Sequence, residues 1–555
     1  MAKMKKIAEN SHDDTNFPDR NGARQLATED FVSGFTYERP NDLSLDPYAG
    51  GTFRDLPILD LDGVIDQIAT GRTISASSGV ITFSFADTPR LTGLYNNPNY
   101  GFTAGDGYSP FTEAQRAEAR EAIELWDDLV SVEFRETNGR GADIQFANSA
   151  DPAQAYAYYP VPGRGYQYQS DVFVADPELN WTNAWLGFGG YGATTLVHEL
   201  GHSLGLSHPG NYNYDPNLPL TYENYAEYAQ DSEQYTIMSY WGMNETSNQV
   251  FAGGVVDFGT LYYNNPQTPL VHDILAIQSV YGADPTTRAG DTVYGYNSTA
   301  GNAVYDFTVN EFPYLSIYDA GGIDTIDMSG ANASVYINLN EGSFSSGAEA
   351  IPDAAEVNAN RAEIDAINPA NVGPVSQATM AYYQQIVPDA YANIIAAETG
   401  VTGIRTTSHD NLSIAYGTVI ENAIGSSQRD LLVGNDVANV LTGNAGNDVL
   451  IGNLGDDTLI GGAGSDELTG GAGNDLFVID STEGTDTIMD FVSGEDRIDF
   501  SGQDFTYVGA DAFTGTAGEL RFEDGMLMGD IDGDGVADLF VNVQGDPIVM
   551  NDLVL

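Results

Sequence analysis

From Gly425 to Val478 the chain can be written as six consecutive nonapeptides, GSSQRDLLV, GNDVANVLT, GNAGNDVLI, GNLGDDTLI, GGAGSDELT and GGAGNDLFV. They follow GGxGxDxUx, with U apolar, and no other feature of the sequence restricts the fold as tightly. The glycines permit tight left-handed turns and close approach of neighbouring backbones, the position-six aspartate supplies a carboxylate, and the position-eight Leu or Phe points inward from a short strand. Two nonapeptides make one coil of a parallel β-roll. Stacked coils hold calcium between turns through Asp430, Asp448, Asp457, Asp466 and Asp475, together with carbonyls around Gly443, Gly446, Gly452, Gly455, Gly461, Gly464 and Gly470. The second repeat carries Asn439 instead, so that step lacks its carboxylate. A flexible Gly/Asp linker would not repeat an apolar residue at every eighth position.

Charge points the same way. Against 20 Lys and Arg stand 80 Asp and Glu, a net charge of −60. Nucleic acid and anionic membrane would both be repelled. Such a charge also opposes compaction unless cations neutralise clustered carboxylates, and calcium, hard and oxygen-seeking, is the expected cation. At 555 residues the chain is long enough for two or three domains. Cysteine is absent, which fits a reducing cytosol or an exported protein without disulfides, and excludes a cysteine nucleophile. Calcium repeats favour export. The opening MAKMKKIAENSHDDTNFPDR has a basic cluster but no apolar stretch after it, and no apolar run elsewhere approaches a membrane span. Neither a Sec-type signal nor a transmembrane helix is expected.

The chemistry lies upstream, in His198-Glu-Leu-Gly-His202-Ser-Leu-Gly205-Leu-Ser-His208. Four apart on a helix, His198 and His202 share a face, and Glu199 lies beside them. Gly205 lets the chain leave the helix sharply, so that His208 can return to the same ion. Three neutral imidazoles leave zinc a fourth position for water, whose pKa the metal lowers while Glu199 accepts the proton. Around this motif the patterning is α/β. Val80-Ile-Thr-Phe-Ser-Phe alternates like a strand, Thr112-Glu-Ala-Gln115 is a capping box, and Ala119, Ala122, Ile123, Trp126 and Val130 recur at helical spacing. Ala142-Asp-Ile-Gln-Phe reads as a further strand before the histidine-bearing helix.

With Tyr235-Thr-Ile-Met238-Ser-Tyr240-Trp following the third histidine, the sequence resembles the metzincin clan, and serralysin-type RTX metalloproteases within it. The resemblance covers roughly residues 76–555. It implies an α/β metzincin catalytic domain over 76–285, then an all-β parallel β-roll (RTX) domain over 286–555, with residues 1–75 an N-terminal segment that includes a propeptide. By likeness, Met238 is an apolar floor under the zinc, and Tyr240 is a distant, switchable zinc ligand that hydrogen-bonds the tetrahedral intermediate. Ala155 and Ala157, in an AYA-type strand, pair with the substrate backbone. Further calcium sites are implied by Arg288, Gly290 and Thr292, facing Asp319, Gly321, Gly322 and Asp324, with Glu421 as a third partner. Asp530, Asp532, Asp534 and Asp538 follow an EF-hand loop whose twelfth position is Val541 rather than glutamate.

Two stretches depart from the family pattern. Residues 347–405 are Ala-rich and helix-like where a roll should continue, and Asn244 to His272 is long enough to alter the cleft edge. The C-terminal Asp552-Leu-Val-Leu555 resembles an uncleaved signal for a type I secretion apparatus. The expectation is a secreted, monomeric, calcium-stabilised zinc endopeptidase acting on protein or peptide substrates. The rival reading is an RTX surface or adhesion protein with a vestigial peptidase domain, and intact Glu199 favours the enzyme.

Overall fold

The computed structural model describes residues 44–76, 79–87, 108–138, 141–150, 154–160, 170–212, 220–251, 254–369 and 373–555. The first forty-three, where the propeptide expectation falls, lie outside the described residues.

The catalytic unit is built on five strands, β1 (Val80–Phe85), β2 (Glu133–Glu136), β3 (Ile144–Ser149), β4 (Ala155–Ala157) and β5 (Val172–Ala175), in the order β2-β1-β3-β5-β4. All neighbours are parallel except β4, which runs antiparallel to β5 at the sheet edge. Helix α1 (Leu61–Ile68) precedes the sheet, and its last turn receives the N–H of Ser207 on the Ile68 carbonyl. Helix α2 (Glu113–Asp127) starts at the expected capping box, Thr112 and Gln115 bonding reciprocally, and buries Ala119, Ala122, Ile123 and Trp126. That apolar face packs on α3 (Tyr191–Leu204), with Trp126 Nε1 donating to the Val197 carbonyl at 3.0 Å. After α3, helix α4 (Val271–Tyr281) closes the unit.

The roll has two sheets. In one, eight strands from Val293–Gly295 to Leu553–Val554 are all parallel. The other stacks nine, parallel from Tyr336–Asn338 to Leu539–Gly545, then antiparallel through Met526–Asp530 to Glu519–Glu523, with Thr506–Tyr507 parallel again at the edge. Leu432 pairs with Leu450 and Leu450 with Leu468, each eighteen residues on, so two nonapeptides do make one coil. The position-eight residues Leu432, Leu441, Leu450, Leu459, Leu468 and Phe477 are fully buried between the sheets. Gly464 shows why its position tolerates no side chain, since φ is +146° and a Cβ would stand 1.4 Å from the Gly446 carbonyl oxygen.

Interrupting the roll are α5 (Ala354–Asn360), α6 (Ala362–Ile367) and α7 (Gln377–Thr399). Met380, Tyr383, Val387, Tyr391 and Ile395 recur every three or four residues along α7, forming one buried face. This face meets Val250, Phe251, Phe258 and Tyr263, so the helices of 347–405 pack against the Asn244–His272 stretch. A buried polar knot ties them further: Asn248 Nδ2 donates to Glu398 Oε1 at 2.6 Å, Ser247 Oγ to Asp410 Oδ2 at 2.6 Å, and His409 Nε2 lies 3.0 Å from Glu398 Oε2. The chain then resumes where it left, Leu412–Ile414 lying antiparallel to Phe344–Ser345 and parallel to Leu315–Ile317.

Residues 44–60 are stitched into the seam between catalytic unit and roll. Leu45, Phe53 and Ile58 share a core with Tyr235, Val271, Tyr336 and Phe344. Asp46 Oδ2 contacts His272 Nε2 at 3.0 Å and accepts from the Tyr416 hydroxyl at 2.6 Å.

Candidate metal centre

His198 and His202 lie on α3, which ends at Gly205 with φ +112° and ψ +14°. Only glycine fits there, because a Cβ would come within 2.1 Å of the Arg72 carbonyl oxygen. The reversed chain carries His208 back. The three Nε2 atoms form a triangle with edges of 3.1, 3.2 and 3.3 Å. Each Nδ1 sits on a backbone carbonyl, of Ile237 at 2.7 Å, Leu206 at 2.8 Å and Tyr212 at 3.2 Å. Donation to those carbonyls fixes the tautomer and turns every Nε2 lone pair toward a common centre. Three converging lone pairs repel unless a cation lies among them. A tetrahedral ion with bonds of about 2.0–2.1 Å has ligand separations of roughly 3.3–3.4 Å, so the triangle fits zinc. Glu199, the neighbour of His198, is fully buried.

Behind the triangle, Met238 packs against Gly201, where a Cβ would stand 2.6 Å from its sulfur. The Tyr240 ring lies 4.3 Å from that of His208, and Tyr212 stacks on His208 at 5.4 Å while its ring stands 5.1 Å from that of Tyr240.

Comparison with known proteins places this geometry. The family model described as Peptidase M10 serralysin C terminal matches residues 283–351 and 399–555, and the Matrixin model matches residues 100–218. Metallopeptidase AprA of Pseudomonas marginalis is 38% identical over 465 residues, covering 80% of both chains. Serralysin of Photorhabdus laumondii is 36% identical over 472 residues, covering 81% of both. The chain belongs to the serralysin family. Metalloprotease AprA of Pseudomonas entomophila, 37% identical over 495 residues and covering 86% of both, agrees. Family membership implies a catalytic zinc, and His198, His202 and His208 form a group able to hold a metal.

The serralysin C-terminal match breaks between residues 351 and 399, which brackets the α5–α7 insertion. On either side the expected calcium residues come together. Thr292 N donates to Asp324 Oδ1 at 2.8 Å, Asp324 N to Glu421 Oε2 at 2.7 Å, and the Thr292 hydroxyl to the Gly290 carbonyl at 2.8 Å. Gly321 N caps Asp319, and the close approach of Gly322 to Gly290 leaves 2.7 Å for a Cβ. Arg288 holds its own loop, pairing with Asp128 at 2.6 Å and with the Tyr318 carbonyl. Burial, with Asp319 and Glu421 nearby, pushes the Asp324 carboxyl up to about 7.

Down the roll the aspartates form a ladder of eighteen-residue steps: Asp430 N donates to Asp448 Oδ1, Asp448 N to Asp466 Oδ1, and Asp457 N to Asp475 Oδ1, at 2.8–3.0 Å. Oδ1 of Asp448, Asp457 and Asp466 is thus used by protein, while Oδ2 of the same three is buried without a hydrogen-bond partner; Asp430 has both oxygens engaged, by Val335 N and Ser426 N. Burial pushes Asp448 up to about 9 and Asp457 to about 7. Unpartnered buried oxygens of this kind suit a hard cation. Asn439 differs, its amide donating to the Glu421 carbonyl at 2.9 Å and to Asn435. Near the C-terminus, Asp530, Asp532 and Asp538 cluster, whereas Asp534 stands aside and accepts from Val536 N.

Some residues that shape the centre carry no motif. Asp273 Oδ1 accepts from the Thr236 hydroxyl at 2.6 Å, and Oδ2 from Ile237 N at 2.7 Å and Leu270 N at 2.9 Å, anchoring the segment whose Ile237 carbonyl holds His198. Asp231 receives the hydroxyls of Tyr212 and Ser239 and the Trp241 indole, gathering the residues around Tyr240. Asp273 is the third residue of α4 and reaches back to the N–H of Leu270; an acidic residue in the first turn of a helix is the one signal that could have found it. Asp231 has no such signal.

Proposed function

We infer that the protein is a zinc metalloendopeptidase cleaving extended segments of protein substrates, with Glu199 as general base. The observation that carries this is the convergence of three tautomer-fixed Nε2 atoms beside a buried carboxylate. When bound by the three imidazoles, zinc supplies Lewis acidity, polarising the scissile carbonyl and lowering the pKa of a water toward neutrality. Glu199 takes the proton of the attacking water and returns it to the departing amine nitrogen. The Tyr240 hydroxyl donates to the oxyanion as it develops, and Met238 keeps the floor apolar. No covalent intermediate is needed. β4, the terminal strand of its sheet, offers Ala155 and Ala157 for pairing with an extended substrate, which accounts for broad specificity.

Calcium held by the roll aspartates, the Asp319–Asp324–Glu421 linker group and the Asp530 cluster belongs to the same proposal, as do export by a type I apparatus and a monomeric state. Among the described residues no helix is long and apolar enough to cross a membrane. The unpartnered Oδ2 atoms support the calcium assignment.

The test is Glu199→Ala, which keeps the ligands and removes the proton acceptor. Zinc content measured by elemental analysis is expected to stay at wild-type level while casein hydrolysis disappears. Near-wild-type proteolysis by the zinc-loaded variant would overturn the mechanism.

A further inference from the structure

We propose that Gln154, at the head of β4, is a positioning residue that fixes the substrate-side strand in register with the metal-bearing helix. The proposal rests on the reading that β4 pairs with the substrate backbone. Gln154 is buried, and its amide is used on both ends. Nε2 donates to Asn183 Oδ1 at 2.6 Å and to the Thr195 hydroxyl oxygen at 3.1 Å, while Oε1 accepts from Asn180 Nδ2 at 2.5 Å and from the Thr182 hydroxyl at 3.1 Å. Thr195 lies one helical turn before His198. One side chain therefore joins the start of β4, the 3-10 turn Trp181–Ala184 and α3.

Asn183 completes the joint from the other side. Its Nδ2 donates to the carbonyls of Gln154 at 3.1 Å and Ala175 at 2.9 Å, bridging β4 and β5 at the point where Ala175 N already bonds the Gln154 carbonyl. Gly192 lets the 3-10 turn lie directly on α3, since a Cβ there would meet the Thr182 carbonyl oxygen at 2.9 Å. The turn is also braced from behind. Trp185 packs edge-to-face on Tyr262 at 5.4 Å, and the same cluster includes Ile364 of α6 from the insertion. The added lobe thus reaches, through this turn, the strand proposed to carry the substrate.

Register matters because backbone pairing is short-ranged. A shift of about 1 Å breaks an N–H···O bond, and misplacement of a reacting group by that much can cost about 10²-fold in rate. Gln154→Met preserves length and burial but removes all four hydrogen bonds. Thr195→Val, a milder change, removes the link from Gln154 to α3 together with the hydroxyl's bond to the Tyr191 carbonyl one turn back, and leaves the other three Gln154 bonds.

The experiment compares wild type, Gln154→Met and Thr195→Val on a fluorogenic octapeptide and on versions of it N-methylated at one backbone nitrogen at a time, with zinc content measured in parallel. Wild type is expected to prefer the unmodified peptide over at least one N-methyl version by about tenfold or more in kcat/KM, roughly one hydrogen bond to a fixed partner. In Gln154→Met, with zinc unchanged, kcat/KM for the unmodified peptide falls about tenfold and the preference drops below about threefold. A merely structural loss would lower activity without erasing the preference. Full preference retained in Gln154→Met overturns the proposal alone. Indifference of wild type to every N-methyl group overturns the strand-pairing reading, and the proposal with it. Should Gln154→Met not fold, Thr195→Val decides, an undiminished preference there counting against the proposal.

Discussion

Asp273 gives the most direct test of how the metal centre is held. Its carboxylate is buried and accepts three hydrogen bonds, two from the backbone N–H groups of Ile237 and Leu270 and one from the Thr236 hydroxyl. Asp273→Ala strands these donors. The hydroxyl can turn elsewhere, but the two N–H groups cannot, and each buried unsatisfied group costs about 1–3 kcal/mol, giving a loss of about 2–6 kcal/mol. Asp273→Asn should behave differently. Its amide oxygen can keep both N–H bonds while its NH2 faces Thr236 Oγ as donor, and the change removes a charge whose burial already pushes the carboxyl up to about 6. A loss of about 1 kcal/mol or less is expected. Because the Ile237 carbonyl orients His198 at 2.7 Å, the alanine variant should also bind zinc about 10–100-fold more weakly, the usual effect of losing an outer-shell support. Urea unfolding followed by tryptophan fluorescence, with competition against a chromophoric chelator, measures both quantities. If Ala and Asn variants unfold together and bind zinc equally, the anchoring argument is wrong.

Tyr240→Phe is expected to lower kcat by about 10²-fold with little change in KM, as for an oxyanion donor that acts only in the transition state; a change confined to KM would make Tyr240 a substrate-binding residue instead. In chelator, the protein should melt at lower temperature as pH rises from 6 to 9. The reason is that burial raises Asp430, Asp448 and Asp457 to about 7, 9 and 7 in the fold, against an unfolded value of about 3.9. The folded state binds more protons throughout that interval, so stability is greatest at its acid end and is lost as pH climbs through the folded values. Saturating calcium displaces those protons and should flatten the dependence, and a chelated protein melting identically at pH 6 and pH 9 would refute the argument.

What the sequence revealed and what it hid divide by distance along the chain. Leu432 and Leu450 are eighteen residues apart and meet because a periodic coil brings every eighth position inward, so periodicity alone reveals the contact. His198, His202 and His208 span eleven residues, and helical spacing plus one glycine suffices to gather them. Asp273 reaches Ile237 across thirty-six residues, and Gln154 reaches Thr195 across forty-one. Such pairs are single side chains set by tertiary packing, with no period to announce them. His272 and Asp46 lie 226 residues apart and illustrate the same limit. The AYA stretch was legible as a strand, whereas the packing of Tyr156 on Phe173 at 5.3 Å, a residue seventeen positions away, was not.

The insertion at 347–405 and the Asn244–His272 stretch, separate in sequence, are explained together. Helix α7 presents five buried residues on one face, and a lone helix with such a face would expose it to water. The stretch from Asn244 to His272 has the complementary problem, since Val250, Phe251, Phe258 and Tyr263 come from a segment whose described residues form a short 3-10 turn and two two-residue strands. Each covers the other, and the Glu398, His409 and Asp410 knot supplies the polar partners that Ser247 and Asn248 need when buried. An insertion within the roll is therefore tolerated because its apolar surface is covered by the Asn244–His272 segment of the catalytic unit. Through Tyr262 and Trp185, that shared core abuts the turn entering the metal-bearing helix. Loss of α5–α7 would consequently expose a face of the catalytic domain, and its effect would be felt at the start of α3 rather than in the coils of the roll.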